Sequence, residues 1–338
     1  ARRLVNLDSE EEGIFLSSCA GGARVDLHFD SEISIQRGVV CEVNICGLQG
    51  GHSGEEIHRE RGNAICLLGR VLCRLLEKME LYIVDLKGGV ADNAIPAQAK
   101  AKILITKYEK EDGLLYAVRG EDMEEECIRL LKTICEKLNQ ELKVELADKD
   151  NGIEIETFIC KTKDEEVIDR EESRILISLI NALPYGVQAM SRAMPGMVET
   201  SLNPGQIFME GRRVNIGISV RSALESSKMA LIDKLGSLAY LAGADMEVSG
   251  IYPGWAFRKE SQLRNKMVEV YRKLYQKEPE IRAIHAGVEC GLLADKIPDL
   301  DCVSIGPDMK NIHTTKEELS ISSVGRVWDY LIKLLEEL

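Results

Sequence analysis

The sequence lacks the short motifs that identify several large classes of enzymes and binding proteins. It contains no H-E-x-x-H helix, no Walker A loop, no G-x-G-x-x-G fingerprint and no C-x-x-C pair. These absences argue against a metalloprotease helix, an NTPase, a dinucleotide-binding unit and a zinc knuckle. There is also no N-x-[S/T] glycosylation acceptor and no apolar run long enough to cross a bilayer. We therefore expect a cytoplasmic protein without a membrane span.

Positive charge is comparatively scarce. Lys and Arg number 43 against 56 Asp and Glu, which gives a net charge of −13. A surface this acidic repels nucleic acid and anionic lipid headgroups, so we expect neither as a partner. The ten cysteines are spread along the chain, and many lie inside apolar runs such as 65–68 and 71–73. This pattern predicts buried, reduced thiols in a reducing compartment.

The 338 residues correspond to about two domains. β-branched alternation over 33–48 predicts strands with a turn near Gly38, and apolar residues at three- and four-residue spacing after Asn63 predict a helix. Further predicted helices are 122–140, 171–183, 225–242, 260–276 and 322–337, and further strands are 81–86, 97–105, 205–210, 213–221, 245–251 and 301–305. The order predicts two αβ units of one kind in an inserted domain, followed by a tail that alternates strand and helix like a doubly wound sheet.

Five histidines are present, so each can be weighed singly. His28 lies in an alternating strand and His58 near a helix start, and both positions favour a structural role. His52 is flanked by glycines, which is typical either of a side chain presented from a loop or of a turn that happens to contain a histidine. Ser53 stands one place too late for a G-x-S-x-G nucleophile elbow, which excludes a serine hydrolase of that type.

Asp8 and His313 both follow predicted strands, although they are nearly the whole chain apart. Loops at the carboxyl ends of strands in an α/β sheet are where ligands and metals collect. The pair is therefore a constellation to test for metal binding at one sheet edge. Two ligands are too few for a zinc site, and the acidic run 10–12 after Asp8 is otherwise typical of a solvated loop.

Longer motifs, in the same order along the whole chain, resemble the aminoacyl-histidine dipeptidases. These enzymes are also called Xaa-His or cytosol non-specific dipeptidases, of the di-zinc aminoacylase and carboxypeptidase clan. The motifs are Asn6-Leu7-Asp8-Ser9-Glu10-Glu11, Cys19-Ala20-Gly21-Gly22, Gly50-Gly51-His52-Ser53-Gly54 with Ile57-His58 and Arg61-Gly62-Asn63-Ala64, Asp92-Asn93-Ala94-Ile95-Pro96, Ser219-Val220-Arg221-Ser222 and His285-Ala286-Gly287-Val288-Glu289-Cys290-Gly291.

The resemblance implies an α/β fold with a partial doubly wound catalytic sheet and a large inserted αβ lid and dimerisation domain. Residues 1–32 and 253–338 would form the catalytic part and residues 33–252 the lid. Asp8 would bind one of two zinc ions and His313 the other. Cobalt or manganese would be alternatives to zinc.

The resemblance also assigns roles on the lid. His52 would reach into the active site of the partner subunit in a homodimer and help to polarise the scissile carbonyl. Asn93 and Arg221 would hold the terminal carboxylate of a dipeptide, and the planar fork of an arginine suits that group. Gly287 would give a backbone contact to substrate.

The family's H-x-D metal motif, bridging aspartate and paired glutamates precede the Asn6–Asp8 motif. Because the chain starts with Ala1 inside a predicted strand, we expect a truncated, proteolysed or split-gene product. A separate N-terminal fragment is then an expected partner.

The resulting hypothesis is a zinc-dependent dipeptidase that hydrolyses short peptides such as Xaa-His. The alternative is a catalytically incomplete lid and dimerisation module that binds peptide or a partner chain without hydrolysis. A third possibility, an aminoacylase or carboxypeptidase of the same clan, is disfavoured by the long doubled lid.

Overall fold

The computed structural model describes residues 2–312 and 314–338. Its strands are β1 (Arg3–Asn6), β2 (Ile14–Cys19), β3 (Gly21–Asp30), β4 (Ile33–Cys46), β5 (Gly51–His52), β6 (Met79–Gly88), β7 (Ala94–Ile95), β8 (Ala99–Glu109), β9 (Leu115–Ala117), β10 (Glu154–Ile168), β11 (Gly186–Met190), β12 (Val198–Glu210), β13 (Arg213–Ser222), β14 (Asp245–Tyr252), β15 (Glu280–Ile284), β16 (Asp301–Ser304), β17 (Met309–Lys310) and β18 (Glu318–Leu319). The helices are α1 (Ala64–Leu76), α2 (Glu121–Glu145), α3 (Arg170–Ala182), α4 (Glu225–Ala242), α5 (Gln262–Tyr275), α6 (Glu289–Lys296) and α7 (Ile321–Glu337).

The smaller sheet has the strand order β1-β16-β2-β15, and its β1–β16 and β2–β15 pairs are parallel. Phe15 and Val303 face α5 and α7, whereas Leu16 and Cys302 pack in a separate cluster with Cys290 of α6. Alternate residues of the strands thus contact helices on opposite faces. This is the α/β, doubly wound arrangement that the sequence predicts for the catalytic part.

The larger sheet has ten strands, in the order β10-β4-β8-β6-β12-β13-β3-β14, with β9 on β8 and β11 on β12. Helices α1 to α4 contribute to its main hydrophobic core. Its two halves meet where β6 pairs with β12, over Gly88 with Ile207 and Lys87 with Phe208. Helix α1 packs against α3 across this junction. One continuous sheet therefore joins two αβ units within a single chain.

The predicted boundary after residue 32 falls one strand too late, because β3 belongs to the larger sheet. It lies between β13 and β14 and pairs with both along most of its length. The chain leaves the smaller sheet at Cys19 and enters the larger one at Gly21, with Ala20 alone between them. No loop or change in composition marks the transition, so the sequence pattern gave no signal of it. Strand β14, the last strand of the larger sheet along the chain, ends at Tyr252.

The predicted turn near Gly38 is wrong. Strand β4 runs unbroken from Ile33 to Cys46, and Gly38 pairs with Lys163 of β10. A Cβ atom at Gly38 would lie 2.3 Å from the backbone oxygen of Ile105. Glycine is needed there because a neighbouring strand approaches closely, which a sequence pattern does not distinguish from a turn.

The sequence analysis did not identify β10, whose fifteen residues form the edge of the larger sheet. Most of its side chains are exposed or partly exposed, including a charged stretch at 163–166. An edge strand rich in charge lacks the hydrophobic alternation that marks a half-buried strand. All ten cysteines are free, six of them buried. Among the described helices, we find none with the length and apolar character needed to span a membrane.

Candidate functional site

The loops that carry His52 and Asn93 form one unit. Strands β5 and β7 pair through Gly51 with Ile95 and His52 with Ala94. The backbone N–H of Ser53 donates to the carbonyl oxygen of Asn93 at 2.8 Å. The structure therefore brings together two residues that the sequence analysis placed at the substrate, although the Asn93 side chain is exposed.

Buried amides and close-fitting glycines hold the Asn93 loop in place. The Asn203 side chain donates from Nδ2 to the backbone oxygens of Asp92, at 3.1 Å, and Ala94, at 2.8 Å. Its Oδ1 accepts from Asn63, the residue that caps the N-terminus of α1. A Cβ atom at Gly205 would lie 2.5 Å from the Asp92 oxygen, so the strand and the loop touch there through backbone alone.

Glu56 anchors the backbone of His52. The His52 N–H donates to Glu56 Oε2 at 3.0 Å, and the same carboxylate forms ion pairs with Arg59 at 2.9 Å and Arg61 at 3.1 Å. Arg61 also donates to the Gly50 carbonyl oxygen. The hydrogen bond from His52, assisted by the two arginines, lowers the pKa of Glu56 below its usual range. The cluster of Glu56, Arg59 and Arg61 thus fixes the backbone at the start of the His52 loop.

Asp150 ties together the two ends of the 49–62 segment. It is fully buried, and its Oδ1 accepts from Gln49 N at 2.6 Å while Oδ2 accepts from Gly62 N at 2.7 Å. Its two oxygens therefore pair with two backbone donors that would otherwise lack an acceptor in the interior.

The His52 ring is oriented by its own loop. Its Nδ1 accepts a hydrogen bond from the backbone N–H of Glu55 at 3.2 Å. In the neutral ring, an accepting Nδ1 places the proton on Nε2. His52 therefore presents Nε2–H as a hydrogen-bond donor.

Arg221 is a buried cation without a carboxylate partner in the described part of the chain. It lies on β13, at the interior of the larger sheet, and is 9% exposed. One terminal nitrogen donates to the Tyr252 hydroxyl at 3.2 Å, while Nε has no hydrogen-bond partner. Burial of an incompletely paired guanidinium is costly, so its retention here indicates a site for an anion.

Tyr252 positions Arg221 through the hydrogen bond that its hydroxyl accepts. Cβ atoms added to Gly22 and Gly287 would lie 2.5 Å and 2.9 Å from atoms of the Tyr252 ring. Both glycines thus leave room for the ring that positions the Arg221 guanidinium. The backbone contact of Gly287 with substrate stays a prediction.

Gly54 marks the point where three functional candidates converge. A Cβ atom there would lie 2.9 Å from the His285 backbone oxygen, 3.0 Å from His52 Cε1 and 3.2 Å from Arg221 Cζ. His52 therefore lies beside Arg221 of its own chain. The expected contact of His52 with the active site of a partner subunit stays a prediction. His52 lies on β5, which pairs with β7 outside the larger sheet, and Arg221 lies on β13 within it.

His285 is a site residue that the sequence analysis did not single out. It is 7% exposed, its Nε2 lies 2.7 Å from Ser201 Oγ, and its Nδ1 has no hydrogen-bond partner. Burial, together with the nearby charge of Arg221, lowers the pKa of His285 to about 4. Its place in the His285-Ala286-Gly287 motif was the available signal, but a buried histidine cannot be told from a core residue by pattern alone.

Three buried polar atoms of residues 53, 221 and 285 thus lack hydrogen-bond partners within residues 2–312 and 314–338. They are Ser53 Oγ, Arg221 Nε and His285 Nδ1. Native structures leave few such atoms unpaired, and a cluster of them is typical of a binding site. With His52 Nε2–H nearby, the cluster is rich in donors and suits an acceptor such as a carboxylate.

Asp8 lies in the loop that follows β1 of the smaller sheet. It is exposed and follows β1, whose carboxyl end is aligned with that of the parallel strand β16. The adjoining segments run side by side, since Ser9 N donates to the Ile305 oxygen and Met309 N to the Glu10 oxygen. His313, the other expected ligand, lies outside the described residues.

The described residues do not form a metal site by themselves. Over 2–312 and 314–338, no group of three or more His, Cys, Asp or Glu side chains is arranged to hold a metal ion. Of the two expected metal ligands, Asp8 is the one that lies among the described residues.

Comparisons with known proteins agree with this architecture. Residues 43–142 match the family model of a peptidase dimerisation domain. The chain is 37% identical over 337 residues to the cytosol non-specific dipeptidase of Escherichia coli (strain K12), an alignment that covers 99% of this chain and 66% of that protein. The crystal structure of aminoacylhistidine dipeptidase from Vibrio alginolyticus superposes with a TM-score of 0.87 at 34% identity, covering 100% of this chain and 66% of that one.

The fold and the matched segment define a chain of the M20 peptidase class. Within that class, the chain belongs to the family of the cytosol non-specific and aminoacylhistidine dipeptidases. It spans 66% of the length of each of these two relatives.

Proposed function

We propose that this chain carries the lid and the carboxylate-binding pocket of a dipeptidase that hydrolyses short peptides with a free C-terminus. The observation that supports this most directly is the buried Arg221, because neither its Nε nor the Nδ1 of the nearby buried His285 has a hydrogen-bond partner in the described part of the chain. A guanidinium in that setting binds a carboxylate with two donors in a fixed geometry. The relatives' names, cytosol non-specific dipeptidase and aminoacylhistidine dipeptidase, support peptides as the substrate class.

Residues of both lid halves would share the recognition of a bound peptide. Arg221 would hold the terminal carboxylate, and Asn93, on the loop joined to Ser53, would contact the same end of the substrate. His52 Nε2–H would donate to the scissile carbonyl oxygen, where negative charge develops during acyl transfer. A pocket closed around the C-terminal carboxylate would restrict substrates to short peptides.

We propose a metal cofactor for the complete site, with zinc as the metal that the family resemblance implies. Asp8 and His313 would each supply one ligand, and when bound the metal would act as a Lewis acid. The described residues contain no group of three or more side chains that could hold it, so further ligands would be needed. A homodimer in the cytoplasm is the proposed assembly, supported by the matched dimerisation segment and by the name of the E. coli relative.

The test compares a free with a blocked C-terminus. Binding and hydrolysis of glycyl-glycine, β-alanyl-histidine and their C-terminal amides are measured with added zinc, on samples of known metal content. We expect the free acids to be preferred, and Arg221→Ala to weaken their binding about 30-fold or more. Arg213→Ala is the matched control, because Arg213 lies on the same strand but is paired with Asp30 at the surface.

The outcomes separate the possibilities. Equal binding of acids and amides would refute the carboxylate pocket. Selective binding of acids without turnover, in samples that contain metal, would favour a lid module that binds peptides without hydrolysing them.

A further inference from the structure

The contact of His285 with Ser201 favours one position for the ring proton. Ser201 is 1% exposed, and its hydroxyl oxygen lies 2.7 Å from His285 Nε2. Within residues 2–312 and 314–338, this hydroxyl makes no second hydrogen bond that could take its proton. A buried hydroxyl without an acceptor costs free energy, so Ser201 donates to Nε2. Nε2 is then an acceptor, and the ring proton lies on Nδ1.

The ring is also held neutral. Burial and the positive charge of Arg221 disfavour the imidazolium and lower the pKa of His285 to about 4, and the exposed His58 adds a small effect of the same sign. A weak interaction with the Val198 carbonyl opposes these effects without cancelling them. At neutral pH, His285 therefore offers one donor, Nδ1–H, and no positive charge.

The side chains of His285 and Arg221 are neighbours, because Ser201 contacts His285 Nε2 at 2.7 Å and is the cross-strand partner of Arg221. Both residues are more than nine-tenths buried, and neither Arg221 Nε nor His285 Nδ1 has a hydrogen-bond partner among the described residues. A Cβ atom added to Gly54 would lie 2.9 Å from the backbone oxygen of His285 and 3.2 Å from Cζ of Arg221, so both residues approach the same point. Two adjacent donors, one charged and one neutral, match the two oxygens of a single carboxylate.

We propose that His285 is a specificity-determining residue, which donates a hydrogen bond from Nδ1 to the terminal carboxylate held by Arg221. This inference rests on the proposed function and adds a second recognition element to it. Ser201 is the positioning residue, since it selects the tautomer. A neutral donor strengthens carboxylate binding without adding a second buried cation next to Arg221.

Two substitutions separate the ring nitrogens. His285→Asn places an amide donor near the position of Nδ1, whereas His285→Gln places its polar end near Nε2 and Ser201. The dissociation constants of glycyl-glycine and glycyl-glycinamide are measured for both variants and for Arg221→Ala, after circular dichroism has shown that each is folded. We expect His285→Gln to lower the preference for the free acid about 10- to 100-fold, and His285→Asn to retain most of it.

A direct readout uses the unaltered protein. Long-range proton–nitrogen NMR at neutral pH should show His285 protonated at Nδ1 and not at Nε2. In Ser201→Ala, the preference of the ring proton for Nδ1 should be lost. Protonation at Nε2 would overturn the proposal, even if no variant at position 285 folds.

The binding data also separate this inference from the proposed function. If Arg221→Ala loses the acid preference and His285→Gln keeps it, the carboxylate pocket stands and the role of His285 is refuted. If the unaltered protein does not prefer the acid, both are refuted.

Discussion

Asp150 provides a direct test of what holds the His52 loop in place. Each of its carboxylate oxygens accepts one backbone N–H, at 2.6 Å and 2.7 Å, in a fully buried position. In Asp150→Asn, one oxygen becomes an NH2 group that faces a backbone donor, and the other becomes a neutral acceptor. A hydrogen bond to a charged group contributes about 1.5–3 kcal/mol, so losing one and weakening the other should cost about 3 kcal/mol. We also expect weaker binding of glycyl-glycine, because the two ends of the 49–62 segment are no longer tied.

The assay is urea-induced unfolding followed by circular dichroism, with Asp148→Asn as the matched control. Asp148 is exposed and close in sequence, so its substitution should change the free energy of unfolding by less than about 0.5 kcal/mol. A loss below about 1 kcal/mol for Asp150→Asn, with an unchanged denaturant slope, would refute the reasoning. It would mean that the Gln49 and Gly62 amides find other acceptors when the carboxylate is removed.

Two further perturbations act on the same site. Gly54→Ala should lower the free energy of unfolding by about 1–3 kcal/mol and weaken dipeptide binding, because its Cβ would lie 2.9 Å from a backbone oxygen. The control is Gly325→Ala in α7, where an added Cβ meets no atom within 4 Å and should stabilise the folded protein by about 0.5–1 kcal/mol. Equal effects of the two substitutions on urea unfolding would contradict the close packing at Gly54. Glu56→Gln should cost about 1 kcal/mol near neutral pH through the lost ion pairs. The pKa of Glu56 is lowered in the folded state, so its contribution is present above the usual carboxyl range and is lost as the pH falls through the lowered value. The difference in stability between the variant and the unaltered protein should therefore vanish in acid. A difference that persists in acid would show that the Glu56 charge does not stabilise the loop.

The regular elements with clear hydrophobic period were predictable from the sequence. The prediction of a helix from Asn63 is confirmed, since α1 spans Ala64–Leu76 with Asn63 as its N-cap, and the predicted helix 225–242 matches α4. Periodicity reports one buried face, and both helices have one. Hydrophobic periodicity does not identify β10, because this charged edge strand has no buried face of that kind. It also misleads at Gly38, where close contact between strands requires glycine.

The candidate site was predictable only in part, for a physical reason. Arg221 and His52 both belong to sequence motifs. The residues around them in the sequence do not indicate that they come from different halves of the lid, or that they meet at Gly54. His285 and Ser201 are 84 positions apart, and Ser53 and Asn93 are brought together by a two-residue strand pair. Such contacts depend on tertiary packing, which composition and spacing do not encode in a readable way.

The geometry of the site depends on the junction between the two halves of the larger sheet. His52 extends from the half that contains β4, β6 and β8, and Arg221 from the half that contains β12 and β13. Only a short stretch of β6 pairs with β12, so backbone hydrogen bonds alone would allow the halves to twist against one another. The contact of α1 with α3 restrains that motion, and a Cβ atom at Gly69 of α1 would lie 2.8 Å from Ile180 of α3, so the helices meet closely. Because helix packing of this kind has few alternative arrangements, the distance from His52 to Arg221 is set by the junction itself, within one chain.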